Sequence, residues 1–200
     1  MIPEEFIYLA VLISLFGILG YLKSIVYGTT RPNLVSQFIW MLSPFIGVFF
    51  QIKSQSGLAT LSLFMSGFAS LSFIITALIV KNGYWELKKF DLICGMFSVF
   101  ALICYILTHN LGVSILFAIL ADTLAYFPTI KKSWTNPETE NNAIYIAGII
   151  SHTIALLVLQ NREFTNYAFS FSIMFWNSVL LFAIYRKQIT SIFSRKSDII

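Results

Sequence analysis

Apolar residues run along this chain in long blocks separated by short polar connections, the blocks lying at about 6–22, 34–52, 58–80, 91–108, 111–130, 143–159 and 166–185. An α-helix rises 1.5 Å per residue, so about 20 such residues cross the roughly 30 Å of bilayer hydrocarbon. The pattern predicts an all-α membrane protein with seven transmembrane helices. Turn signals fall in the breaks, as in Arg31-Pro32-Asn33 and Asn136-Pro137-Glu138, where Thr-x-Pro starts the next helix. Composition agrees: 58% of the 200 residues are hydrophobic and 11% charged, against about 25% charged in soluble domains.

Charge then orients the chain. Eleven of the thirteen Lys and Arg fall on the odd-numbered loops and the C-terminal tail, leaving Lys53 and Arg162 on the other side. Short basic loops stay in the cytoplasm, so an N-out, C-in topology is expected. These loops account for the net charge of +4 and leave no continuous basic face for nucleic acid. The opening Met-Ile-Pro-Glu-Glu lacks Lys and Arg, so the first span reads as a retained helix and not a signal peptide. Cys94 and Cys104 have no companion Cys or clustered His and read as packing residues, with no metal or cofactor implied.

Sliding the chain on itself by 105 residues places Tyr21 on Tyr126, Ile25 on Ile130, Thr30 on Thr135 and Pro32 on Pro137. The same shift places Gly17 on Asp122, Ser72 on Asn177 and Lys81 on Arg186. Two three-helix units follow, residues 1–85 and 111–188, joined by a linker helix at 86–110 and followed by a basic cytoplasmic tail at 189–200. Four spans separate equivalent helices, so the units are parallel, with a solute site at midplane between them.

This 3+1+3 arrangement resembles the SWEET and PQ-loop superfamily, whose members have an outside N-terminus and a cytoplasmic C-terminus. Their Pro-Gln pair lies near the cytoplasmic end of each unit's first helix; here the second unit has Phe127-Pro128-Thr129 and the first Leu22-Lys23-Ser24. SWEET carriers hold an Asn beside the substrate in each unit's third helix, and the resemblance implies that role for Asn177, with Ser72 in the first unit. Relatives of similar architecture carry sugars, amino acids or vitamin precursors, and one group consists of receptors.

Asp122 is the one acid deep in a span, eleven residues from its outer end and so about 17 Å in. An intramembrane charge costs on the order of 2.5–3.5 kcal/mol and faces a bundle interior or wet cavity. Two chemistries fit: a proton-coupling or ligand-accepting carboxylate, or a protonated Asp bonded to a neighbouring helix. His152, about 14 Å from the cytoplasmic end of its span, shares that depth and could meet Asp122 in a proton relay, or supply interhelical bonds with Ser151 and Thr153. Asn177 lies in the same layer and offers both donor and acceptor; Trp176 points about 100° away from it. The first unit answers with Gln37, Trp40 and Ser43 on its second span. Its Ser62, Ser66 and Ser70 form a stripe that reads as a close helix contact. Pro44 and Pro128 interrupt helix hydrogen bonding and are candidate hinges. Glu138, Glu140, Lys131 and Lys132 read as solvated loop charges, with interhelical ion pairs the alternative.

The expected function is a secondary transporter or facilitator of a small polar solute by alternating access, with or without proton coupling. Asp122, His152, Asn177, Ser72 and Trp40 are its candidate binding or coupling residues. The alternative is a receptor of the same fold that recruits a cytoplasmic partner. An enzyme is not expected, since no metal-ligand cluster, phosphate loop or nucleophile with a base is evident. Expected partners are the solute, membrane lipids and protons, with homo-oligomers allowed; the expected location is a bacterial inner membrane.

Overall fold

The computed structural model describes residues 2–83, 89–108 and 110–197; the side chains of Cys94, Cys104, Arg195 and Lys196 lie outside that description. Among the described residues the chain is helical and without strands: α1 (Ile7–Val26), α2 (Leu34–Lys53), α3 (Thr60–Ile79), α4 (Lys89–Thr108), α5 (Leu111–Thr135), α6 (Ala143–Val158) and α7 (Phe164–Ser197). Five of these, α1, α2, α3, α5 and α7, are long and apolar enough to cross a membrane, while α6 is apolar but shorter. Large apolar side chains such as Phe16, Leu19, Ile79 and Phe182 point outward. Such a surface suits lipid and not water, which is what an integral membrane protein presents.

Local chemistry sets the helix ends. Asn33 caps α2 by accepting from the backbone N–H groups of Val35 (3.0 Å) and Ser36 (3.2 Å), and Asn110 caps α5 by accepting from Val113 (3.1 Å). Gly28, at φ +75°, ends α1 in the left-handed region that glycine tolerates best. Two helices outrun the apolar pattern. Pro128 lies inside α5, which continues to Thr135, and α7 runs on to Ser197 through most of the expected tail. A proline removes one donor and leaves the rest of the ladder able to form, and a charged sequence can stay helical beyond the apolar zone.

Six helices close a ring in the packing order α1, α3, α2, α5, α7, α6 and back to α1, with α4 outside against α5 and touching α2. Exchanging α1 with α5, α2 with α6 and α3 with α7 turns each contact in the ring into another. Burial follows the same exchange. Ala10, Ser14, Gly17 and Ile18 are buried on α1, as are Ser114, Ala118, Ala121 and Asp122 on α5, at an offset of 104 residues. On α2 and α6 the offset is 108, pairing Gln37 with Tyr145 and Pro44 with His152. The offset of 105 is thereby corrected: Ile18, not Gly17, holds the place of Asp122. One residue turns a helix by 100°, and Gly17 faces α6 instead, where an added Cβ would stand 2.5 Å from the Cβ of Ala147.

Candidate functional site

Each ring helix brings one face to a central cavity of about 80 Å³. That is room for roughly half a dozen water-sized groups at 10–15 Å³ each. The facing residues follow the spacing of one helical side: Ser14 and Ile18, Asp122 and Tyr126, Ile173 and Asn177 are each four apart, as are Gly148 and His152. Asp122, His152, Asn177 and Trp40 all line this cavity, and so does Pro44. Pro128 is buried in α5 but outside the lining.

Ser72 does not reach it. Its hydroxyl folds back onto the Phe68 carbonyl (2.8 Å), and Phe73, Ser70 and Ala69 carry the inner face of α3. The cause is the same register error of one residue. The serine stripe divides as well. Ser62 makes the interhelical contact, accepting from Ser151 Oγ at 3.1 Å, whereas Ser66 and Ser70 line the cavity.

The polar groups are arranged unevenly. His152 is bonded to Ser66 of α3, with Nε2 2.9 Å from Oγ, and makes no hydrogen bond to Asp122; the expected Asp–His relay pair is not formed. Asn177 accepts from the Tyr126 hydroxyl at 3.2 Å. Trp40 donates its Nε1–H to the backbone carbonyl of Asp122 (3.3 Å), and its ring lies 4.5 Å from that of Tyr126, tilted by 56°. Three side-chain atoms in the wall have no hydrogen-bond partner among the described residues: Asp122 Oδ2, His152 Nδ1 and Gln37 Oε1. Their residues are 1%, 1% and 4% exposed. Buried polar atoms are nearly always bonded, so three around one cavity mark a place prepared for something else.

Polar clusters tie the ring together at both ends. At the end of the α5–α6 connection, Glu140 accepts from the hydroxyls of Tyr21 on α1 and Tyr145 on α6, each at 3.1 Å. It also pairs with Lys132 of α5 at 2.6 Å, and Lys132 donates in addition to the Arg31 carbonyl. These charges are therefore not solvated, which corrects the reading of Glu140 and Lys132 as loop charges. Tyr145 also lines the cavity, so this cluster forms its floor. At the opposite end, Asn166 of α7 accepts from Ser54 (2.5 Å) and Ser56 (2.7 Å), and its carbonyl accepts from Gln51 (3.1 Å). Leu63 and Phe169, three residues on from Asn166 in α7, are buried in one apolar cluster with Ala118 and the cavity-lining Ile173.

Tyr126, Tyr145, Gly148 and Asn166 were not among the sequence-based candidates, and Glu140 was read only as a loop charge. Tyr126 and Gly148 were within its reach, one turn from Asp122 and His152 on the same helical face. Gly148 makes room for Asn177, whose Nδ2 an added Cβ would strike. Asn166 carries no such signal, because Ser54 and Ser56 are distant in sequence, and for Glu140 the distant partner is Tyr21. Among the described residues no group of His, Cys, Asp and Glu could hold a metal ion. Comparison with protein-family models, curated proteins and solved structures finds no match.

Proposed function

We propose that this chain is a carrier for a small polar solute, working by alternating access between two parallel three-helix units, α1–α3 and α5–α7, with α4 as the linker. The observation that carries this reading is the cavity shared by all six ring helices, with its unpartnered polar atoms on α2, α5 and α6. A static receptor pocket could be built within one bundle; a site divided between two halves is what rocking units need. The end clusters support the same reading, since each crosses between the halves through hydrogen bonds that can break and reform.

In this reading Asp122, His152, Gln37 and Asn177 hold the solute, and Pro44 and Pro128 are where α2 and α5 bend. The basic end is cytoplasmic, the N-terminus outside, and the membrane a bacterial inner membrane. The test is uptake by proteoliposomes of a mixed pool of sugars, amino acids, amines and vitamin precursors, read by mass spectrometry with and without a pH gradient. Native protein is expected to accumulate a solute and Asp122→Asn to lose most of that uptake. Gradient dependence would assign proton coupling. Specific binding without flux would instead make the chain a receptor.

A further inference from the structure

We propose that the solute is a small organic cation, an amine or a planar cationic group without a carboxylate or phosphate of its own; this rests on the carrier reading and names the chemistry of its site. A buried carboxyl group either holds a proton or, to ionise, needs a countercharge beside it. None of the cavity-lining residues is Lys or Arg. The nearest basic group on the floor, Lys132, is committed to Glu140. Asp122 thus faces a chamber whose wall supplies no cation, and a bound ligand is what can bring one.

The hydrogen-bond inventory points the same way. Trp40 gives its N–H to the Asp122 carbonyl, Tyr126 its O–H to Asn177, and Tyr145 its O–H to Glu140. Ser66 has a single hydrogen and two neighbours for it, the Ser62 carbonyl at 3.3 Å and His152 Nε2 at 2.9 Å; with the hydrogen on the carbonyl, its oxygen accepts from His152 Nε2–H. That tautomer leaves Nδ1 with a lone pair. Of the three unpartnered atoms, the oxygens Asp122 Oδ2 and Gln37 Oε1 are acceptors for a cationic ligand, and His152 Nδ1 joins them in that tautomer. The donors that remain, the amides of Gln37 and Asn177 and the hydroxyls of Ser14 and Ser70, are neutral and cannot balance an anion. An ammonium group, with three donors and no acceptor, complements this wall; a carboxylate or phosphate does not.

The apolar lining completes the fit. Trp40 is pinned over the backbone of Asp122 and stands at an angle to Tyr126, and Phe73 adds a third ring. Indole and phenol faces attract a cation within about 6 Å, more strongly where water is excluded. A neutral sugar would use the acceptors but gain nothing from the carboxylate's charge.

The test is ligand binding to the purified full chain in lipid nanodiscs, followed by calorimetry and tryptophan fluorescence. Guanidinium, tetramethylammonium and phenethylammonium are the cation probes, with urea, tert-butanol and 3-phenylpropionate as uncharged or anionic counterparts. At least one cation is expected to bind ten-fold or more tighter than its counterpart, and Asp122→Asn to weaken it about ten-fold or more. Trp40→Leu should weaken it several-fold. The comparison of cation with counterpart on the native chain needs no variant, so a misfolded Asp122→Asn cannot hide the answer. Neutral solutes binding while cations do not would overturn the cation assignment and leave the carrier reading standing. Cation binding indifferent to both substitutions would place it elsewhere and overturn the assignment too. If neither the probes nor the uptake pool engage the cavity, the carrier reading falls and takes the cation assignment with it.

Discussion

The two ends of the ring are tied together by different chemistry. At one, a carboxylate with almost no exposure gathers an ammonium and two phenols from α5, α1 and α6. At the other, a neutral amide gathers two serine hydroxyls and an amide nitrogen. Opening the first strands a charge in a region of low dielectric; opening the second releases only groups that water can satisfy one by one. The Glu140 end should therefore be the stiffer seal. In a carrier of this build the Asn166 end is expected to open first, and the ionic end only when the ring is reset.

The largest effect expected is at that ionic seal. Glu140→Ala removes the acceptor of both tyrosine hydroxyls and leaves Lys132 without its counterion, a loss of about 3–5 kcal/mol for breaking a buried pair from one side. Denaturant titration of the protein in detergent micelles reads it. The double substitution Glu140→Ala with Lys132→Ala should cost less than the sum of the single ones, because the stranded charge is gone. An additive result would mean that the pair contributes no coupling and that the two ends do not differ in kind.

Between the seals, Gly148→Ala probes whether the cavity is as closely built as its ends. The added methyl meets Asn177, and displacing that side chain is expected to cost about 1–3 kcal/mol. It should also break the hydrogen bond from Tyr126 and lower solute uptake. Preserved uptake in a fully folded variant would show that Asn177 is not needed in the wall.

Asn166→Ala tests the neutral seal. Its Oδ1 accepts from two neutral hydroxyls, Ser54 and Ser56, and its loss strands no charge, so the expected cost is about 1–2 kcal/mol, well short of the Glu140 value. The informative readout is access: a single Cys introduced near Phe169 should react faster with a polar maleimide in this variant. Equal costs for Asn166→Ala and Glu140→Ala would erase the contrast between the ends.

Much of this arrangement was legible in the chain before any coordinates. Apolar blocks placed the helix starts within about two residues, though α5 and α7 run on past their blocks, and the depth of Asp122, His152 and Asn177 brought all three to one cavity. What failed was rotation and distance. An offset of 105 in place of 104 preserves the apolar blocks yet turns the first and third helix of each unit by 100°, which sent Gly17 and Ser72 to the wrong partners. Ion pairs such as Lys132–Glu140 look like loop charges because they flank the short α5–α6 connection, and nothing local reports that the Tyr21 and Tyr145 hydroxyls bond to Glu140. Periodicity encodes which face of a helix is apolar; it does not encode which other helix that face meets.

Ser72 offers the smallest and most discriminating case. Its hydroxyl is spent on the Phe68 carbonyl one turn back, a bond internal to α3 that the backbone can forgo, and its side chain lies outside the cavity lining. Ser72→Ala is expected to change stability by less than about 0.5 kcal/mol and to leave solute uptake unchanged. Ser66→Ala, six residues earlier on the same helix, removes the partner of His152 Nε2 and should cost about 1–3 kcal/mol because that ring nitrogen is then buried without a hydrogen bond. Measuring both variants side by side separates two accounts of α3: one in which any polar side chain in the span helps form the site, and one in which only the face fixed by an offset of 104 does. A strong effect at Ser72 with none at Ser66 would reverse the assignment of that face and return Ser72 to the position opposite Asn177.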